Sequence, residues 1–378
     1  MNNKHDSRNV LYLINHAGKA GTERYVYTLM SNARKYGYTP YFAYNERGLL
    51  LDQVEKLGIK RFQIEMRSPY DIKAIRSLRD VCVENSIDVI HTNYLRENYI
   101  ALLTKKLFVK NVKVIYTNHF VIANKAFVKV ANRFLTRDNH KIISVCRIGA
   151  KKLIENGNAK DRIIVIHNAV DLSAWDPAVT DNNYKAVRKK ARESFNLSDD
   201  DVMFLCASRF AHDKGHRFYL NGISRFFEHG HGKRDCRFVL AGDGPLLGDI
   251  KQLASEYKLE DNITFAGFVQ DLKPLFYAAD VYVNPSEHEA LSFLILEALA
   301  AGLPVIATDM GGNSDIVNAE SGCGILIDYN DVEMLSSALL RLFDDADLRA
   351  ELKVKTATTV KDKFSIEQML ESTFNAYE

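Results

Sequence analysis

The chain has 378 residues, 47% apolar and 26% charged, with a net charge of +2, ordinary values for a soluble globular protein long enough for two cores. No apolar run reaches 18 residues and no signal core precedes a cleavage site, so neither a spanning helix nor a secretory leader is expected. The five cysteines (Cys82, Cys146, Cys206, Cys236, Cys323) form no Cys-x-x-Cys pair, which excludes a zinc ribbon or disulfide framework and points to a reducing cytoplasm.

Short β-branched runs alternate with helix-length segments. In the first half the predicted strands are 9–15, 38–44, 87–93, 112–119 and 141–146, and 162–168 closes the set. The first is followed by HAGKAGTERYVYTLM (16–30), where Gly18 and Gly21 allow a tight turn and a helix starts near Thr22. Backbone N–H groups at such a helix start suit an anion. A plain turn is an equal reading, since neither Gly-x-Gly-x-x-Gly nor a P-loop Gly-Lys-Ser/Thr accompanies it.

The polar stretch 176–201 reads as a linker region. Beyond it the predicted strands are 201–208, 237–244, 262–268, 280–286, 304–309 and 324–328. Apolar strands spaced by helices predict βα units, and therefore an α/β protein with two doubly wound parallel sheets in tandem. Ligands of such sheets gather at the carboxyl ends of the strands.

Those ends carry the chemistry in the second half. After FLCAS comes RFAHDKGH, with Arg209 and Lys214 flanking the entrance to a helix. Two cations there match what a diphosphate leaving group requires, and two exposed bases beside a Gly215 turn is the bland alternative. AGDGPL (241–246) and GFVQD (267–271) are glycine turns at strand ends, and the latter brings Phe268 and Val269 within reach of a base. In EHEALSFLILEALAAGLPVIATDMGGN (287–313), Glu289 and Glu297 stand eight apart, which on a helix places both on nearly one face. The apolar neighbours ALSFLIL argue against solvent, so Glu289 is expected in the first turn and Glu297 two turns on, both meeting polyhydroxy ligands, a sugar for one and a ribose for the other.

SRFAHDK, AGDGPL, ADVYVNPSEHEALSFLILEALAAGLPVIATDMGGN and GILIDYND, in that order, resemble the C-terminal half of the retaining GT-B-fold glycosyltransferases of family GT4. GTERYVYTL, DVIHTN, VIYTNH and VIHNAVD extend the resemblance through the first half. It implies two Rossmann-like domains facing a central cleft: 1–180 on the acceptor side, 181–363 holding the nucleotide-sugar donor, and a helix over 364–378 crossing back to the first domain. By the same resemblance Arg209 and Lys214 neutralise the donor diphosphate. Glu289 contacts the transferred sugar with backbone groups of Ala290, Leu291, Ser292 and Phe293, and Glu297 binds the ribose. His119 lines the sugar site, and Gly21 and Thr22 belong to a loop near the diphosphate. The chain departs from the family in having Ala20-Gly21 where two glycines are common, and Asn168-Ala169-Val170-Asp171 for Asn-Gly-Val-Asp.

The implied reaction moves a hexose or N-acetylhexosamine, with UDP-sugar favoured as donor, to a lipid-linked or saccharide acceptor in cell-envelope polysaccharide or glycolipid assembly. Configuration is retained by front-face substitution through an oxocarbenium-like state. No cofactor or metal is expected: Asp199-Asp200-Asp201 precedes a strand, and His229-Gly230-His231 is an isolated pair. A GT-B sugar-nucleotide epimerase and a non-catalytic carbohydrate-binding subunit are the alternatives. The intact Glu pair favours transfer over epimerisation, and a binding subunit would tolerate loss of Arg209, Lys214 or Glu289. An NAD enzyme lacks its glycine fingerprint here.

The net charge conceals an asymmetry. Residues 1–180 carry 29 Lys and Arg against 16 Asp and Glu, and residues 181–378 carry 21 against 32. Residues 101–162 alone hold 14 bases and three acids. Such density seeks phosphate on nucleic acid or an anionic membrane, or is a solvated face. No nucleic-acid recognition module accompanies it, so nucleic acid is not an expected partner. In 124–141, Phe127, Val130 and Phe134 fall at helical spacing among Lys125, Lys129, Arg133 and Arg137. This stripe either lies on an anionic bilayer, making the enzyme peripheral at the inner face of the cell membrane, or packs against the first sheet.

Overall fold

The computed structural model describes residues 7–18, 21–175, 181–195, 197–198, 200–229 and 236–378. Contacts divide the chain into one unit of Met1–Asn168 with Glu367–Glu378 and another of Ala169–Ile366, against expected bounds of 1–180, 181–363 and 364–378.

The first unit holds β1 (Arg8–His16), β2 (Tyr38–Glu46), β3 (Lys60–Gln63), β4 (Val89–Thr92), β5 (Lys113–Asn118), β6 (Lys141–Ser144) and β7 (Ile163–Val165) in one sheet of order β3-β2-β1-β4-β5-β6-β7. All its pairings are parallel. The order reverses between β1 and β4, where Leu11 lies opposite Ile90. β1 is buried from Val10 to Ile14 without alternation, as helices on both faces require. β3 is absent from the predicted set because KRFQ has neither an apolar run nor an apolar alternation, and it needs none at the sheet edge.

The second unit holds β8 (Val202–Ala207), β9 (Cys236–Ala241), β10 (Ile263–Gly267), β11 (Val281–Asn284), β12 (Val305–Thr308) and β13 (Gly324–Ile327), ordered β10-β9-β8-β11-β12-β13 and parallel throughout. Its reversal lies between β8 and β11. Phe204, Phe226 and Phe238 meet in the core, with the Phe204 and Phe238 rings stacked 5.1 Å apart. None of the five cysteines is in a disulfide, and all are buried.

The expected linker is in large part a helix, Asp181–Glu193; residues 176–180, 196 and 199 lie outside the described residues. Its mean polarity hides two arginines one turn apart. Arg188 and Arg192 each bind the Asp280 carboxylate, at 2.7 and 3.1 Å, and Arg192 is buried with further bonds to the carbonyls of Ser198, Asp201 and Ala278. Paired and saturated, these charges anchor the helix to the second unit where an apolar stripe would ordinarily do so.

The two segments that join the units pair with each other. Val170 bridges Ser365 in parallel, and the Val170 N–H donates to the Phe364 carbonyl at 3.1 Å. The terminal helix Ile366–Asn375 then leads into the first unit's core, where Tyr377 is fully buried and donates to or accepts from His91 Nδ1 at 2.5 Å.

Candidate functional site

In the second unit the functional groups collect where β8 and β11 end, the two strands flanking the reversal. Such a switch point is where doubly wound sheets bind ligands. Arg209 follows β8 by two residues, is exposed, and makes no ion pair among the described residues. Lys214 ends a single 3-10 turn, His212–Lys214, ahead of the helix His216–Glu228. Between them Gly215 sits at φ +67°, and a Cβ there would stand 1.9 Å from the Pro285 carbonyl oxygen. The β8 and β11 loops therefore touch backbone to backbone.

That contact brings Lys214 to Glu289. Its Nζ lies 2.9 Å from Glu289 Oε1 and 3.5 Å from Asp213 Oδ2, in a largely buried setting. The loop bearing Glu289 is fixed from three sides. The Asp213 carbonyl accepts from the Glu287 N–H, the Thr308 hydroxyl donates to the Ser286 carbonyl, and Gly311 (φ +58°) lets its backbone close on the Glu289 carbonyl.

Glu289 is not in the first turn of a helix, as expected, but in this loop. The helix is Phe293–Ala300, opened by Ser292, whose side chain accepts from the Ile295 N–H. Ser292 is extended (φ −74°, ψ 116°) and also accepts from the Asn284 side chain at 3.2 Å. A serine so held caps a helix rather than extending one backward. Glu297 is in the helix and buried. Burial raises the Tyr282 phenol well above its ordinary value, and Cys206, Glu289 and Glu297 add to the shift. Ala290 and Phe293 are half-buried, Leu291 and Ser292 buried.

Behind Lys214, His216 stacks on Phe210 at 4.1 Å and meets the Ser208 hydroxyl at 3.1 Å through Nε2. Burial, reinforced by the Lys214 charge, holds its pKa down at about 4. At the end of β10, Gly267 (φ +66°) accepts from the Gly242 N–H, then Phe268 is exposed and Val269 half-buried.

In the first unit, Gly21 and Thr22 open the helix Gly21–Asn32, Gly21 exposed and Thr22 buried. His119 follows β5 directly and is buried, with Nε2 3.1 Å from Asn93 Oδ1 and its ring edge-on to Tyr25 at 5.0 Å. Burial drives its pKa to about 3, so the ring is neutral near pH 7 and contributes hydrogen bonds, not charge. Asn93, Tyr25 and His91 escape the sequence reading. Asn93 alone leaves a signal there, as a polar residue at the carboxyl end of a predicted strand.

Among the described residues no three His, Cys, Asp or Glu side chains gather as a metal cluster. Asp199, Gly230 and His231 lie outside those residues, while Asp201 accepts from the Ser198 N–H in a turn. Among them, too, no helix is long and apolar enough to cross a membrane.

The chain matches the description "Glycosyltransferase Family 4" over residues 19–174 and "Glycosyl transferases group 1" over 187–358. It is 30% identical to alpha-D-kanosaminyltransferase of Streptomyces kanamyceticus over 49% of this chain and 47% of that one, about half the relative's length. It is 27% identical to the UDP-Gal:alpha-D-GlcNAc-diphosphoundecaprenol alpha-1,3-galactosyltransferase of Escherichia coli over 73% of this chain and 71% of that one. The crystal structure of Anabaena HepE in complex with UDP superposes with a TM-score of 0.84, at 16% identity, over 97% of this chain and 98% of that one. With two parallel doubly wound sheets and a match in each unit, the chain belongs to the family GT4 glycosyltransferases of GT-B fold, enzymes that transfer sugars.

Proposed function

We propose that this enzyme is a retaining transferase that moves a hexose or N-acetylhexosamine from a UDP-sugar to a hydroxyl of a lipid-linked or saccharide acceptor, in cell-envelope polysaccharide or glycolipid assembly at the inner face of the cell membrane. The 2.9 Å pairing of Lys214 with Glu289 across the ends of β8 and β11 carries the reading. It sets a phosphate-binding cation beside a carboxylate able to hold sugar hydroxyls. The relative that names UDP-Gal and a lipid diphosphate acceptor supports both substrate classes, and HepE with UDP supports the base.

On this reading the bond from the anomeric carbon to the diphosphate oxygen breaks while the acceptor oxygen bonds to the same face. The acceptor's proton passes to the departing phosphate oxygen. Arg209 and Lys214 stabilise the charge on that oxygen, a preorganised effect of about 3 kcal/mol per donor. Glu289, with the backbone of Ala290 to Phe293, orients the sugar, Glu297 holds the ribose, and Phe268 and Val269 border the base. Gly21 and Thr22 offer N–H groups to the diphosphate, and neutral His119 lines the sugar site. No metal takes part.

A panel of UDP-, GDP- and ADP-sugars, scored by thermal shift and by donor hydrolysis, tests this without knowledge of the acceptor. UDP-sugars should stabilise the enzyme most. Arg209→Ala and Lys214→Ala should each lower turnover by about 100-fold. Arg209 is exposed, so its variant should melt like the wild type. Near-normal turnover in both variants overturns the diphosphate assignment, and loss of activity to chelator with recovery on Mg²⁺ overturns the metal-free reading.

A further inference from the structure

The helix Ala126–Leu135 of the first unit is built inside out. Its one fully buried residue is polar: Asn132 accepts from the Tyr99 hydroxyl at 2.6 Å, and its amide donates to the Asn156 carbonyl at 2.7 Å. The backbone is clamped on the same side, where a Cβ on Gly157 (φ +85°) would stand 2.4 Å from the Lys129 carbonyl oxygen. These contacts fix the rotation of the helix. They turn its apolar stripe outward, leaving Phe127 70%, Val130 52% and Phe134 68% exposed. An ordinary surface helix buries such a stripe, and isolated exposed apolar residues are common where an aligned set is not. Of the two readings of this stripe, packing against the first sheet is the one its exposure rules out. Phe120 and Ile122, in the loop leading into the helix, are exposed as well.

The charge around the stripe is unopposed. All three acids of residues 101–162 are already paired with bases of that segment: Asp138 with Lys106, Glu155 with Lys152 and Asp161 with Arg162. Lys125, Arg133 and Arg137 are exposed and make no ion pair among the described residues.

We propose that this face docks the enzyme on an anionic lipid bilayer, Phe127, Val130 and Phe134 entering the headgroup–acyl boundary while the surrounding bases hold lipid phosphates. The inference rests on the reading of the enzyme as a transferase to lipid-linked acceptors and supplies the surface on which it meets them. A bilayer is the one partner that uses both halves of the feature, the apolar stripe and the field around it. A second copy through this face would bring two like fields together. Within the first unit the docking helix also lies close in sequence to His119. Ala126 follows His119 by seven positions, a reach of at most about 25 Å.

The test is co-sedimentation of the full chain with vesicles of phosphatidylcholine alone or mixed equally with phosphatidylglycerol, at low and high salt. Binding is expected with the anionic vesicles, fading with salt. Each base at such a surface contributes about fivefold, so the Lys125, Arg133 and Arg137→Glu triple variant should bind at least 100-fold more weakly. Phe127→Ser with Phe134→Ser should lose tenfold or more. Both variants should keep the wild-type melting temperature and donor hydrolysis. No lipid dependence at low salt overturns the proposal, and so does wild-type binding by both variants. Tighter binding to an oligonucleotide than to anionic vesicles, or self-association that the Phe variant abolishes without vesicle binding, also overturns it. Lost docking with intact donor hydrolysis leaves the transferase reading standing, whereas vesicle binding without hydrolysis of any nucleotide-sugar overturns that reading and leaves the docking.

Discussion

His91, His119 and His216 are held as neutral rings, the first two near pKa 3 and the third near 4, by burial above all. In the unfolded chain each titrates near 6.5, so between about 6.5 and 4 the unfolded state binds more protons and stability falls with pH. Glu97 opposes this. It is wholly buried in the helix Leu95–Leu107, and burial lifts it to about 7 against the opposing pull of its own backbone N–H, the Arg96 charge and the Asn15 N–H. Between about 4.5 and 7 the folded state holds that extra proton, so stability gains as pH falls. Three protons against one leave a net loss of about 2–3 kcal/mol per pH unit from pH 6 to pH 5. Urea unfolding at pH 7.5, 6 and 5 should show the midpoint dropping in that order. Glu97→Gln should steepen the drop by removing the opposing group. Equal midpoints at pH 6 and 5 would mean that the rings are accessible to protons in the native state.

The loop between β11 and the helix Phe293–Ala300 shows at the element scale how position depends on backbone approach. Gly311 at φ +58° has the Glu289 carbonyl 1.6 Å from where a Cβ would stand, whereas Gly37 at φ +82° has nothing within 4 Å. Both glycines resist substitution through backbone strain of about 1–2 kcal/mol; only Gly311 adds a collision with the segment carrying Glu289. Gly311→Ala should therefore lower donor affinity tenfold or more. Gly37→Ala, losing only the strain term, should bind donor normally in the same calorimetric titration. Equal affinity in the two variants would show that the loop position is set elsewhere, by Thr308 and Asp213. The order of glycines, cations and acids at these strand ends is readable in the sequence, because parallel βα units expose their loops at one end. It does not show that Ser292 caps the helix and leaves Glu289 outside it, since a spacing of eight fits a helix and a loop-plus-helix alike. The same limit explains the helix Asp181–Glu193, whose anchoring arginines look like solvated charge until Asp280 is seen between them, and the stripe at Phe127, whose spacing fixes a face without saying which way it looks.

At the scale of the whole molecule, the first unit is discontinuous: it needs Glu367–Glu378 from the far end of the chain, while Ala169–Ile366 is one uninterrupted run. The returning segment does more than cover a surface. Phe374 stacks on Tyr36 at 4.5 Å, Tyr377 meets His91 inside the sheet, and Glu378 is held by Arg8 at 2.6 Å and by the Tyr38 hydroxyl at 3.0 Å. Lys113 donates to the Tyr377 carbonyl at 2.9 Å. From His91 the hydrogen bonds continue through Thr117 to the Tyr25 hydroxyl, and the Tyr25 ring abuts His119. The last residues therefore brace the wall on which His119 sits. Tyr377→Ala should cost the first unit about 3–5 kcal/mol, as for a large buried aromatic. Tyr377→Phe, which leaves His91 Nδ1 without its partner but keeps the volume, should cost about 1–3 kcal/mol. Because the second unit makes its core without these residues, scanning calorimetry should show one transition moving down in each variant while the other stays in place. A shift of both transitions together would mean that the two units unfold as one, and no shift in either would remove Tyr377 from the first unit's core.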